Sequence, residues 1–100
     1  MIITRKTEIE PPVLENILAV ELHPVIFKKA WGLTNEKTAE YLHLSEQAVI
    51  AYGLKPTSSK YRNPSPAVKG LAAATSFILL SDGRKPVKPE LLKDLLELLN

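Results

Sequence analysis

The chain of 100 residues is 45% hydrophobic with a net charge of +2, the size of one domain with apolar mass for one modest core. It has no cysteine, which excludes disulfides, thiolate chemistry and cysteine zinc sites and is compatible with a cytosolic home. No apolar run approaches the ~20 residues that span a bilayer, and the opening MIITRKTEIEPP lacks a basic-then-apolar export signal, so a cytoplasmic protein is expected.

Residues 1–10 alternate weakly through Ile2, Ile3 and Ile9 and read either as an arm or as a short strand. Glu10-Pro11-Pro12 breaks that segment. Pro12 then suits an early position of a helix over Val13–Val20, where its missing N–H leaves no bond unmade. His23-Pro24 marks a second boundary and predicts a helix from Val25 to Trp31, ended by Gly32 in a left-handed conformation.

Thr34 to Leu54, TNEKTAEYLHLSEQAVIAYGL, reads as two short helices joined by a tight turn. Thr34 and Ser45 are placed to cap them, each hydroxyl taking an orphan backbone N–H. Ala39, Leu42, Leu44, Val49 and Tyr52 form one inward stripe, with Leu44 in the corner. The polar, proline-broken KPTSSKYRNPS of residues 55–65 must be a loop.

Ser65-Pro66 predicts the start of a helix running to about Leu80. Val68, Leu71, Ala72, Ile78 and Leu79 lie on one side and Ala73, Phe77 and Leu80 on the other, so burial on more than one face is expected. Ser81-Asp82-Gly83 is a turn. The last helix, Glu90 to Leu99, gathers Leu91, Leu92, Leu95, Leu96, Leu98 and Leu99 on one stripe, with Glu90, Lys93, Asp94 and Glu97 opposite, and either covers the Ser65–Leu80 helix within one subunit or pairs with its copy in another. The expected fold is all-α, a small bundle of five to six helices with a leucine-rich C-terminal helix. It forms one domain, with an arm and short helix over 1–22, a core over 23–82 and the last helix in 83–100.

Charge is unevenly spread. Residues 1–22 carry two basic and four acidic side chains, 23–46 three of each, and 82–100 four of each. Residues 47–81 carry Lys55, Lys60, Arg62 and Lys69 and no acid. A clustered positive excess of that kind is a footprint for phosphate.

On these residues the stretch Thr34–Leu54 resembles the helix-turn-helix of the phage-repressor and Cro-like family of DNA-binding regulators. Ala39 stands where the family has a small residue at the helix crossing, and Leu42, Leu44, Val49 and Tyr52 stand at its buried positions. His43 occupies the turn position usually taken by glycine, a departure that histidine tolerates better than most bulky residues. The flanking Val25–Trp31 and Ser65–Leu80 helices match the family's order of elements, so the resemblance covers about residues 23–80.

The resemblance implies a small prokaryotic or phage-type transcriptional regulator, nucleoid-associated, that reads double-stranded DNA with residues 45–54 in the major groove. Ser45, Glu46, Gln47, Ile50, Ala51 and Leu54 face outward. Gln47 can pair with adenine, Glu46 can accept from cytosine N4, and Ile50 and Ala51 offer apolar contact to a thymine methyl. The loop supplies phosphate contacts through Lys55, Ser58, Ser59, Lys60, Tyr61 and Arg62, together with Thr57 and Asn63, and Lys37 reaches the backbone from the other side. A homodimer through 65–80 and 90–99 is expected, because one short helix reads few base pairs.

The rival expectation is an adaptor that holds a protein partner on the same surface, favoured by the apolar Ile50, Ala51 and Leu54. His23 and His43 read as boundary and turn residues and not as metal ligands. With four glycines and no nucleophile-elbow serine, no enzyme, cofactor or small-molecule ligand is expected.

Overall fold

A computed structural model describes residues 20–98. The expected arm and the expected Val13–Val20 helix lie outside these residues except for Val20, which is non-helical; Leu99 also lies outside. The described chain is all-α. Its elements are α1 (Pro24–Trp31), α2 (Asn35–Leu42), α3 (Glu46–Tyr52), α4 (Pro66–Ser81), a 3₁₀ turn (Pro89–Leu92) and α5 (Lys93–Leu98).

Local chemistry accounts for where these helices begin. The hydroxyl of Thr34 accepts the Lys37 N–H at 3.0 Å, that of Ser45 the Ala48 N–H at 3.1 Å, and that of Ser65 the Val68 N–H at 3.2 Å. Each such cap is worth ~1 kcal/mol. His23 caps α1 in the same way, its Nδ1 accepting from the Val25 N–H at 3.1 Å, with Pro24 in the first turn.

Three helices end alike. After α1, Gly32 (φ 63°) donates to the Lys29 carbonyl and Leu33 to that of Lys28. After α2, His43 (φ 55°) donates to Glu40 and Leu44 to Ala39. After α4, Gly83 (φ 85°) donates to Leu80 and Arg84 to Leu79. Each paired bond satisfies two orphan carbonyls and requires a left-handed residue, which is glycine twice and histidine once.

The core joins Leu22, Phe27, Ala30, Leu42, Ala72, Ala73, Phe77, Leu92 and Leu95. A fully buried side chain of the size of Phe27 or Leu92 contributes roughly 1.5–3 kcal/mol. Two polar side chains enter with their bonds made. Thr38 donates its hydroxyl to the Thr34 carbonyl at 2.8 Å, and Ser76 accepts the Trp31 indole N–H at 3.0 Å. Trp31 itself is half-buried, its ring edge fixed by that bond.

Two expectations need correction. α4 buries one face, through Ala72, Ala73, Ser76 and Phe77, and leaves Leu71 and Ile78 exposed. The helix runs 16 residues against neighbours that do not surround it, so Leu71 and Ile78 face out while Leu79 and Leu80 are half-buried. The C-terminal helix begins as a 3₁₀ turn, with the Leu91 N–H donating to the Lys88 carbonyl three residues back. Its Leu92 and Leu95 enter the core of the same chain.

α1 is the hub, packing against α2, α3, α4 and the 3₁₀ turn. Two tethers fix its surroundings. Leu22 donates its N–H to the Lys69 carbonyl at 3.0 Å, beside a Lys69–Glu21 ion pair at 3.3 Å. At the other end, the Val87 and Lys88 amides both donate to the Ala30 carbonyl, at 2.8 and 3.0 Å. This strap, residues 84–88, passes so near Gly32 that a Cβ there would meet Val87 Cγ2 at 2.9 Å.

Candidate nucleic-acid interface

Three residues separate α2 from α3: His43, Leu44 and Ser45. The left-handed His43 reverses the chain, Leu44 folds back half-buried against the core, and Ser45 opens α3. The inner faces are apolar and covered, through Ala39 and Leu42 on α2 and Val49 and Tyr52 on α3. Ala48 joins them at 5% exposure, a buried residue that the expected stripe omitted although it lies four positions before Tyr52.

The outer face of α3 carries Ser45, Glu46, Gln47 and Ile50, all exposed, with Ile50 at 45%. Glu46 and Gln47 stand one turn before Ile50 and Ala51, so the four share a face. Ala51 and Leu54 are only half-buried, which moves the open part of the face toward the N-terminal turn of α3. Ser45 uses an oxygen lone pair for its cap and keeps its O–H to donate.

The loop after α3 is held against it. The Arg62 N–H donates to the Ala51 carbonyl at 3.3 Å, and the Arg62 guanidinium lies over the Tyr52 ring, 5.8 Å from its centroid. Within the loop, Ser58 donates its N–H to the Lys55 carbonyl at 2.8 Å and Tyr61 to that of Ser58 at 3.1 Å. The Ser58 hydroxyl accepts the Lys60 N–H at 3.2 Å. Consecutive turns thus shape the segment, with Lys55, Thr57, Ser59, Lys60, Arg62 and Asn63 exposed and Ser58 and Tyr61 half-buried.

Ion pairing narrows the positive excess. Lys69 is paired with Glu21, across a sequence distance that segment-by-segment counting of charge cannot register. Lys37 pairs with Glu40 on α2 at 3.3 Å, both side chains 60% exposed. An exposed pair of this kind is worth a few tenths of a kcal/mol, so Lys37 can still exchange its partner for a phosphate. Among the described residues Lys55, Lys60 and Arg62 form no ion pair, and the excess that follows α3 is theirs.

Among the described residues no group of three or more His, Asp or Glu side chains is placed to hold a metal ion, and no helix is long and apolar enough to cross a membrane. No protein family, no curated protein and no solved structure matches the chain.

Proposed function

We propose that the protein binds double-stranded DNA in a sequence-specific way as a small transcriptional regulator of prokaryotic or phage type, without catalysis. α2 and α3 act as a helix-turn-helix, and α3 enters the major groove. Ser45, Glu46 and Gln47 meet base edges or the nearest phosphates, and Ile50 and Ala51 lie against thymine methyls. Lys55, Ser58, Ser59, Lys60, Tyr61 and Arg62 hold the flanking backbone.

The observation that carries this reading is the attachment of the cationic loop to α3. Arg62 is bonded to the last turn of the helix whose outer face carries the base-reading side chains. This attachment supports the reading, because it keeps Arg62 beside α3. Two copies bound two-fold would read two half-sites. The exposed Leu71 and Ile78 of α4, with Leu96 of α5, supply the apolar surface for that homodimer. A cytoplasmic, nucleoid-associated home follows from the same reading.

One observation favours a second reading, a protein adaptor: Ile50 is apolar, 45% exposed and central on the outer face. Binding to a pool of random duplexes at ~50 and ~200 mM salt separates the two. A steep fall with salt, and enrichment of one motif on selection, is the expected result. Absence of binding at both salts overturns the DNA reading in favour of the adaptor.

A further inference from the structure

The fold builds a second cationic surface that charge counting along the chain hides, because it draws on two segments that are each balanced. Lys28 and Lys29 belong to the last turns of α1, and Arg84, Lys85 and Lys88 to the strap. The strap is pinned to that end of α1 by the Val87 and Lys88 amides on the Ala30 carbonyl, and the Arg84 N–H is fixed on the Leu79 carbonyl at 2.9 Å. Among the described residues none of the five cations has an ion-pair partner, and four of them are exposed, with Lys28 half-buried.

Nearby acids do not cancel the cluster. Glu90 and Asp94 line a groove with Val20, Leu22 and Ile26, toward the start of α1. Arg84 and Lys85 line another, with Trp31, Leu33, Tyr41 and Leu79, at its end. Asp82 is the one acid in the adjoining turn. The C-terminal end of α1 contributes only about half a negative elementary charge, too little to explain five cations as dipole partners.

We infer that this strap surface is a second phosphate-binding face for duplex DNA, separate from the loop after α3. The inference rests on the DNA-binding reading above. The two cationic surfaces lie toward opposite ends of α1, since Gly53, just before Lys55, lies against Val25 while the strap lies on Ala30. Val25 and Ala30 are five residues apart, about 7.5 Å along the helix, so the two surfaces flank one short element. Five cations without an ion-pair partner among the described residues complement the dense, regular negative charge of a duplex backbone. The pinned backbone lowers the ordering cost of binding.

The test compares the salt dependence of binding to random-sequence duplex for the wild type, R84A/K85A/K88A and K55A/K60A/R62A. Each lost phosphate contact lowers the slope of log affinity against log salt by about 0.9, so either triple variant is expected to lose two to three units. The strap variant should keep the base preference found by selection. Lys29→Glu approaches the same surface from α1 and should also flatten the slope, which guards against a strap variant that misfolds. A wild-type slope in both R84A/K85A/K88A and Lys29→Glu overturns the inference and leaves the DNA reading intact. A wild type that binds no duplex overturns both.

Discussion

The guanidinium of Arg62 lies 5.8 Å from the centroid of the Tyr52 ring, so the loop's only arginine is held by the inner face of the helix it follows. A cation over an aromatic face is stabilised by ~0.5–1 kcal/mol at an exposed site, which holds the side chain in place without neutralising it. The charge stays available while its position is set. Replacing Arg62 by Ala is expected to weaken binding to all duplexes alike and lower the salt slope by about one. Gln47→Ala should instead cost ~1–3 kcal/mol at the preferred site and relax base choice there. Binding assays on the selected motif and on random duplex, run for both variants, separate the two effects.

His43 performs the task of a glycine at φ 55° with an exposed side chain that forms no bond among the described residues. A left-handed backbone costs a non-glycine residue roughly 1–2 kcal/mol, partly offset by the greater freedom of glycine in the unfolded chain. His43→Gly is therefore expected to stabilise the fold by about 0.5–1 kcal/mol, read as a higher midpoint in urea at unchanged slope. His43→Val, β-branched, should do the reverse.

The Trp31–Ser76 bond ties the end of α1 to the middle of α4. Ser76→Ala leaves the indole N–H facing a buried methyl and is expected to destabilise by ~1–3 kcal/mol. Ser76→Thr keeps the oxygen but crowds a fully buried site with an extra methyl. Chemical denaturation of both variants measures the two effects apart.

Burial, and then the Lys69 ammonium, holds the pKa of His23 below its ordinary value of 6.5. Its Nδ1 must stay unprotonated to accept the Val25 N–H. Because the folded value is the lower one, the unfolded chain binds more protons in the window beneath 6.5. The stabilisation is fully present above pH ~6.5 and is lost as pH falls through the folded value. Melting temperature against pH should show this loss in the wild type. His23→Asn, which caps without titrating, should remove this component of the dependence.

Much of the fold was legible because its signals are local. Thr34, Ser45, Ser65, Gly32 and His43 each act within four residues, and every one caps or ends its helix as read. What was not legible depends on distant partners. Nothing near Lys69 in sequence announces Glu21, and nothing near Lys88 announces Ala30. The outward turn of Leu71 and Ile78 was hidden for a related reason, since periodicity shows that a helix is apolar all round but not how many neighbours cover it. For the candidate interface, the outer residues of α3 were readable from helical spacing, whereas the docking of Arg62 onto Tyr52 was not.

The shared acceptor at Ala30 has a consequence for the order in which the molecule forms. α1 precedes the other described helices, yet its last turn receives Val87 and Lys88, and its buried side receives Leu92 and Leu95, about sixty residues further along. A helix of eight residues is marginal alone, so α1 is expected to gain its stability only when those distant residues close on it. The first of the described helices in chain order is thus closed over by the last.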